Sequence, residues 1–300
     1  MAQANGKVIL LGEHAVVYGA PALAAGIDRG ARAQAVPAER GLLRLGARQV
    51  ESGEPSELGR ALAALLERLE LGPHALDVEL DLPPGAGLGA SAAIGVALAR
   101  AVLEAHGEPA SEERVLGAAD AWERVFHGNP SGIDAAAAAH AGCLIYSRAD
   151  GVKEIPVGRE LSLVVALAGP PASTREMVEG VARLRERRPE LVDKTMAGIA
   201  ALVQNARVAI ETGDAAGLGR LMDLNQMLLS GLFLSTEGIE RACAIARSAG
   251  ALGAKLTGSG GGGAVLALVS KDPTPVLAAF ADAGLEAFPT VVRANRVRIA

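Results

Sequence analysis

Residues 76–106 read LDVELDLPPGAGLGASAAIGVALARAVLEAH, and this stretch predicts a strand, a glycine-rich loop and a helix in succession. Apolar and acidic residues alternate from Leu76 to Leu82, which is typical of a half-exposed strand, and a helix is expected from about Ala92 to His106. Glycines at 85, 87 and 89 let the backbone approach a ligand closely, and the start of the helix adds the positive end of its dipole. The pattern therefore favours a phosphate-binding loop over a connector that binds nothing.

Two familiar phosphate-binding loops do not fit this stretch. A Walker A loop ends in Gly-Lys-Ser/Thr, whereas the chain has Gly89-Ala90-Ser91 without a lysine. A dinucleotide-binding loop requires a strand after the helix, whereas the sequence predicts a second helix over Ser111–His127. Ser91, in the first turn of its helix, has two interpretations that the residues alone leave open: an N-terminal cap, or a hydroxyl ligand to Mg²⁺ held by phosphates.

A second candidate feature is a pair of carboxylates, Glu123 and Asp134, separated by the helix break at 128–132. Two anions brought close together repel unless a cation accompanies them, and Mg²⁺ prefers oxygen ligands. The alternatives are that Glu123 is a solvated edge residue beside Trp122 and that Asp134 is only an N-cap. On these residues alone the structural alternatives are favoured.

Two further stretches are unusual for simple structural elements. Lys7 precedes the apolar run Val8–Leu11, and Glu13-His14 follows it, so the lysine is either surface decoration or part of a site. The stretch 258–263 holds five glycines in six residues, more than a hairpin needs. It is either backbone packed closely on a ligand or another loop, or a flexible lid.

The other expected elements are mixed strands and helices without a regular alternation, which favours an α+β architecture in two domains, residues 1–155 and 156–300. The expected strands are Lys7–Leu11, Ala15–Gly19, Ala31–Val36, Gly41–Val50, Cys143–Tyr146, Leu161–Ala168, Ala264–Val269 and Pro289–Arg296. The expected helices, besides those at 92–106 and 111–127, are Ser56–Leu71, an alanine-rich helix from Asp134 to Gly142, Ser173–Arg187 with a capping box from Ser173 to Glu176, Leu191–Thr212, Leu218–Leu234, Gly238–Ala249 and Pro275–Ala283.

Composition excludes several classes of protein. The chain has 300 residues and a formal net charge of −5. This charge disfavours a protein that binds nucleic acid or anionic membranes, because proteins of both kinds rely on a basic surface. No apolar run is long enough to cross a bilayer or to act as a secretion signal. The two cysteines, Cys143 and Cys243, form neither a CxxC motif nor a disulfide framework, so we expect a cytoplasmic protein.

Together these stretches resemble the GHMP kinase superfamily. The resemblance covers GKVILLGEH at 6–14, PGAGLGASAA at 84–93 and KLTGSGGGG at 255–263. Within the superfamily, GEHAVVYG at 12–19 and ERVFHGNPSGID at 123–134 look most like the mevalonate kinases. The resemblance implies an N-terminal domain like ribosomal protein S5 domain 2 and a ferredoxin-like C-terminal domain.

The resemblance also implies a reaction, the transfer of the ATP γ-phosphoryl group to the 5-hydroxyl of mevalonate in isoprenoid biosynthesis. Asp134 and Lys7 would then be catalytic, Ser91 and Glu123 would bind Mg²⁺, and Glu13, His14 and Thr174 would bind the acceptor. The triphosphate would be bound by Pro84, Gly85, Ala86, Gly87, Leu88, Gly89, Ala90 and Ser91.

Three departures from the family pattern are Asn5 for a proline, Ala90 for a serine and Ala172 for a basic residue. The last change widens the choice of acceptor, so two alternatives stay open. One is a kinase for another acceptor: a mevalonate 3-kinase, a phosphomevalonate kinase or a sugar kinase. The other is a catalytically silent nucleotide-binding relative. The sequence leaves the oligomeric state open, a homodimer included.

Overall fold

A computed structural model describes residues 1–83, 85–128 and 130–294 of the chain. The chain forms two compact units. The first unit contains residues 1–7, 28–84 and 89–141, and the second contains residues 8–27, 85–88 and 142–300. The domain boundary that we placed at residue 155 stays a prediction.

The strands that contribute to the first unit are β1 (Ala2–Leu11), β2 (Ala22–Pro37), β3 (Leu42–Leu45), β4 (Arg48–Glu51) and β5 (His74–Leu80). β1 pairs with β2, and the later part of β2 runs antiparallel to β5, with Ala31 opposite Leu80. β3 forms a hairpin with β4 but lies parallel to β5, with Leu42 opposite Ala75. β3 and β5 can lie parallel because a helix crosses over between them along the chain.

The helices of the first unit are α1 (Glu57–Leu69), α2 (Ala90–Ala105), α3 (Glu112–His127) and α4 (Ile133–Ala139). α3 packs against α1 and α2, and α4 packs against α2. Gly95 makes the α2–α3 contact possible, because a β-carbon at this position would lie 2.8 Å from Cδ1 of the fully buried Trp122. The glycine thus lets the indole ring lie directly on α2, which brings the next residue, Glu123, close to the start of that helix.

The second unit contains the strands β6 (Cys143–Ser147), β7 (Gly151–Ile155), β8 (Leu161–Gly169), β9 (Gly253–Thr257), β10 (Gly263–Val269) and β11 (Ala287–Val292). Its helices are α5 (Thr174–Arg187), α6 (Pro189–Thr212), α7 (Ala215–Gly231), α8 (Glu237–Ser248) and α9 (Thr274–Asp282), with a short 3-10 helix at Ala15–Tyr18. Four strands form an antiparallel sheet in the order β11-β8-β10-β9. α7 and α8 pack on β9, and this packing holds the strand that leads into the glycine-rich turn.

The α+β class expected from the sequence is confirmed, and the errors are local. Residues 15–18 form a 3-10 helix rather than a strand, because Gly12 (φ +103°) and His14 (φ +59°) turn the chain sharply before it. The alanine-rich helix ends at Ala139 and not at Gly142, since His140 already has an extended backbone. At Ser173 the N-cap position is confirmed, but its side chain makes no capping hydrogen bond.

Several strand segments were missed or misjudged. The first part of β2, β7 and β9 were not predicted, because glycines or charged residues interrupt their apolar alternation. The last strand ends at Val292; residues 295 and 296, which we included in it, lie outside the described residues. Within the described part of the chain, no helix is both long and apolar enough to traverse a membrane.

Candidate active site

An ion pair in the first unit joins the two residues expected to be catalytic. Lys7 Nζ lies 3.0 Å from Asp134 Oδ1; the lysine side chain is 8% exposed and the aspartate side chain 39%. Lys7 is therefore no surface decoration. Asp134 is not the N-cap of α4 either, because that position belongs to Gly132, whose φ of +81° suits glycine. The aspartate lies instead in the first turn of the helix.

The two elements that carry this ion pair are tied together by Arg100, at the middle of α2. Its Nη1 donates to the carbonyl of Gln3 at 2.6 Å, and its Nη2 donates to the carbonyl of Ala139 at 2.8 Å. Gln3 lies on the strand of Lys7, and Ala139 ends α4, whose first turn carries Asp134. One guanidinium group therefore links β1 to α4, although it does not contact the side chain of Lys7 or of Asp134.

A second polar pair, Ser91 and Glu123, lies beside the first. The Ser91 hydroxyl donates to Glu123 Oε1, and Trp122 Nε1 donates to the Ser91 carbonyl at 3.1 Å and to its Oγ at 3.2 Å. Gly89, with a left-handed backbone, is the N-cap of α2, so the capping interpretation of Ser91 was wrong. Glu123 is only 3% exposed, so it is not a solvated edge residue either.

The environment of Glu123 is suited to a cation. Burial raises the pKa of this carboxyl, the Ser91 hydrogen bond lowers it, and the charges of Asp134 and Lys7 act on it in opposite directions. No three His, Cys, Asp or Glu side chains come together as a metal site in the described ranges. A hard cation held by the Ser91 hydroxyl and the Glu123 carboxylate would therefore take further oxygen ligands from bound phosphates or water. The donor set fits Mg²⁺ in company with a nucleotide.

The glycine-rich loop has the backbone that the sequence predicted. Gly85, Gly87 and Gly89 have φ values of +74°, +75° and +73°, a region that residues with side chains avoid. A β-carbon at Gly89 would lie 3.1 Å from Lys7 Cβ, whereas one at Gly87 would meet nothing within 4 Å. Of the residues expected to bind the triphosphate, Pro84 lies outside the described residues.

In the second unit, Glu13 is held in a buried network. Its Oε1 accepts from Lys255 Nζ, and its Oε2 accepts from Asn225 Nδ2 at 3.2 Å. Lys255 has no exposed surface, and burial lowers its pKa although the charge of Glu13 acts in the opposite direction. Both oxygens of the Glu13 carboxylate are thus engaged by protein donors.

His14 and Thr174, both expected on the acceptor side, converge on one residue of the glycine-rich turn. His14 Nε2 lies 2.8 Å from the Ser259 carbonyl, so Nε2 carries a proton, and Thr174 Oγ1 donates to Ser259 Oγ at 3.3 Å. Burial lowers the pKa of His14, which favours the neutral ring. His14 Nδ1 is buried and has no hydrogen-bond partner among the described residues, so it is an acceptor facing no protein donor.

The turn at 258–263 is packed against neighbouring backbone. A β-carbon at Gly260 would lie 2.4 Å from the Leu234 carbonyl oxygen, and one at Gly262 would lie 2.0 Å from that of Pro170. A β-carbon at Gly261 would lie 2.6 Å from Cβ of Ala172. Ala172 is one of the three departures from the family pattern. The interpretation as closely packed backbone therefore fits the structure better than a loose lid.

Comparison with known proteins identifies the family. The family model described as GHMP kinases N terminal domain matches residues 57–142, and the one described as GHMP kinases C terminal matches residues 206–284. The mevalonate kinase of Aeropyrum pernix is 38% identical over 283 residues, which cover 89% of this chain and 87% of that protein. The chain belongs to the GHMP kinase family. A second relative, the mevalonate kinase of Thermococcus sibiricus, is 33% identical over 99% of this chain and 96% of its own.

Solved structures agree with this membership. The crystal structure of L. major mevalonate kinase in complex with R-mevalonate has a TM-score of 0.88 and 31% identity, covering 98% of this chain and 96% of that one. The Methanococcus jannaschii mevalonate kinase has a TM-score of 0.85 at 23% identity, with 98% of both chains covered, and shares the fold. The two-domain GHMP kinase fold expected from the sequence is thereby confirmed.

Some residues that organise this GHMP kinase site were not predicted. Arg100, Asn225 and Lys255 have no motif of their own that assigns them a role; Lys255 only opens the KLTGSGGGG stretch. Trp122 was noted for its helix face and not for the hydrogen bonds that its indole donates to Ser91. An arginine or lysine within an otherwise apolar run was the available signal in each cationic case.

Proposed function

We propose that this chain transfers the γ-phosphoryl group of ATP to the 5-hydroxyl of mevalonate, with Mg²⁺, giving 5-phosphomevalonate and ADP. The relatives of 32–38% identity that carry the name mevalonate kinase support the reaction. The observation that carries the chemistry is the Lys7–Asp134 ion pair at 3.0 Å, beside the Ser91–Glu123 pair.

In this reaction the acceptor oxygen forms a bond to the γ-phosphorus while the bond from that phosphorus to the β-γ bridging oxygen breaks, and ADP leaves. In this proposal Asp134 takes the hydroxyl proton, and the Lys7 ammonium group offsets negative charge on the transferred group. Phosphoryl transfer depends mainly on positioning and charge neutralisation, so a fixed aspartate and a buried lysine are suited to it.

The remaining residues have binding roles in this proposal. Ser91 and Glu123 hold Mg²⁺, which when bound offsets the charge of the phosphates. Residues 84–91 bind the triphosphate, and the backbone N–H groups of residues 85–91 are the donors. His14 and Thr174 bind the acceptor, and the sequence-based prediction gives Glu13 the same role. We propose a cytoplasmic enzyme for which a small hydroxy acid is the acceptor.

A panel of acceptors tests the reaction: mevalonate, phosphomevalonate, galactose and homoserine, with ADP release and the phosphorylated product as readouts. Mevalonate is expected to give the highest kcat/KM. ADP release with another acceptor alone would establish a different kinase, and no release with any of them would favour the silent nucleotide binder.

Two variants test the residues. Lys7→Met and Asp134→Ala are each expected to lower kcat by about 10²-fold or more while the affinity for ATP changes little, because both groups act on the transferred phosphoryl group. Asp120→Asn is a matched control, since Asp120 pairs with Arg124 on the surface of α3 and contacts neither Lys7 nor Asp134 in the hydrogen bonds and ion pairs of the described residues. Equal losses of kcat and ATP affinity would contradict the assigned roles.

A further inference from the structure

A buried charged pair in the second unit has no role in the proposed chemistry. Glu13 and Lys255 have side chains that are 1% and 0% exposed, and Lys255 Nζ also donates to the carbonyl of Leu256. Such a pair is a poor source of stability, because the cost of removing two charges from water offsets most of their attraction. Its presence therefore calls for an explanation other than stability.

The strand that carries Lys255 and the turn that follows it hold the segment of residues 9–14 at three points. Thr257 Oγ1 accepts from the Ile9 amide at 2.9 Å and donates to the Ile9 carbonyl at 3.1 Å. Lys255 binds Glu13, and the Ser259 carbonyl accepts from His14. Every second residue from 255 to 259 thus contacts the segment of residues 9–14, so these contacts fix the segment along its length.

The segment needs such support because its backbone is strained at His14. A φ of +59° is uncommon for a residue with a side chain and persists only where the surroundings fix it. Glu13 is the preceding residue, and its carboxylate is held on one oxygen by Lys255 and on the other by Asn225. Anchoring Glu13 therefore restricts the peptide that sets the direction of the His14 ring.

We propose that Glu13, Lys255 and Asn225 form a positioning network that aims the His14 ring, and that Glu13 does not itself bind the acceptor. This inference rests on the proposed function, in which His14 binds the acceptor, and it replaces the direct role that the sequence gave to Glu13. Each oxygen of the Glu13 carboxylate already accepts from a protein donor, and at 1% exposure the side chain presents almost no surface to a bound hydroxyl group.

A double-mutant cycle separates the two roles. Glu13→Gln is expected to raise the KM for the acceptor by about tenfold, as for the loss of one hydrogen bond, and to leave the KM for ATP unchanged. In a His14→Ala background the same substitution is expected to cause no further rise, because a residue that acts through His14 has nothing left to act on. Multiplying effects in the double variant would overturn the proposal.

A second readout needs no acceptor and so stands even if the proposed reaction is wrong. In the wild type the ¹⁵N shifts of His14 are expected to report a neutral ring protonated at Nε2, bonded to Ser259. Glu13→Gln and Asn225→Ala are expected to weaken this hydrogen bond and move the shifts. Unchanged His14 shifts in both variants would overturn the proposal, whatever the substrate of the enzyme.

The control is an ion pair between α7 and α8 that anchors the same strand through the amide of Ala254 and has no hydrogen bond to residues 9–14 among the described residues. Asp223 Oδ1 accepts from Arg247 Nε at 2.7 Å and from the Ala254 amide at 2.9 Å. Asp223→Asn loosens the strand without touching Glu13, so it is expected to lower the melting temperature while the acceptor KM and the His14 shifts stay as in the wild type. If Asp223→Asn reproduces the effects of Glu13→Gln, the network is merely structural and the proposal fails.

Discussion

Two glycines of the phosphate-binding loop allow a matched test of how closely Lys7 must be placed. Gly87 and Gly89 have nearly the same backbone, with φ values of +75° and +73°, so alanine at either position incurs the same left-handed strain of about 1–2 kcal/mol. They differ in their surroundings. A β-carbon at Gly87 meets open space, whereas one at Gly89 lies 3.1 Å from Lys7 Cβ and must displace it by a few tenths of an ångström.

Both variants are expected to lower stability and to raise the KM for ATP, since both strain the loop, and Gly89→Ala should lose the greater stability because its β-carbon also presses on Lys7. Only Gly89→Ala is expected to lower kcat as well, by about tenfold, because a misplacement of about 1 Å in an active site costs on the order of 10²-fold and this shift is smaller. Melting temperatures, KM for ATP and saturating kcat should be measured for both proteins. Equal kcat values would show that the position of Lys7 is not limiting and would refute this reasoning.

Three further changes test residues that support the site. Trp122→Phe keeps the apolar ring but removes the N–H donor to Ser91, so the Mg²⁺ concentration needed for half-maximal rate should rise several-fold, up to about tenfold; an unchanged Mg²⁺ dependence would contradict this. Arg100→Ala should lose kcat and regain more of it with millimolar guanidinium than with methylammonium, because the planar guanidinium group presents a separate nitrogen to each of the two carbonyls; an equal response to both cations would exclude the clamp. His74 Nε2 lies 2.9 Å from His106 Nε2, and burial lowers the pKa of His74 in the folded chain below its ordinary value of 6.5. As the pH drops below about 6.5, the unfolded chain therefore binds a proton before the folded chain does, and the free energy of unfolding should fall. A His74→Gln variant should show a flatter decline in thermal melts, and a decline as steep as in the wild type would assign the loss to other groups.

The sequence was sufficient for elements with a strong local pattern. The helix at Glu57–Leu69 follows from its apolar periodicity. The loop around Gly85–Gly89 follows from its glycines, because a left-handed backbone favours glycine. The pairing of Lys7 with Asp134 is different, because 127 positions separate them and no periodicity relates them. Their convergence was anticipated through family resemblance, and each residue taken alone favoured a structural role.

The supporting residues were beyond reach for a physical reason. Arg100 acts on two carbonyl groups, those of Gln3 and Ala139, and backbone carbonyls carry no mark in a sequence. Lys255 lies in a strand whose five residues are all buried, where a charged residue argues against a buried strand unless its partner is known. The partner, Glu13, is 242 residues away. Long-range satisfaction of buried polar groups therefore sets the limit of what local patterns predict.

The charges of Lys7, Asp134 and Glu123 explain why the proposed reaction needs a cation. Lys7 contributes one positive charge against the two carboxylates of Glu123 and Asp134, so the three side chains sum to −1 when all are ionised. The net negative charge of these three side chains would repel a triphosphate, although the backbone amides of the loop attract it. Mg²⁺ would reverse that balance, and it would also compensate the buried carboxylate of Glu123, whose nearest cationic side chains are His127 at 3.8 Å, charged only when protonated, and Lys7, which is already engaged with Asp134. The same acidity that disfavours free nucleotide thus selects the metal complex, which is the form of ATP from which phosphoryl transfer proceeds.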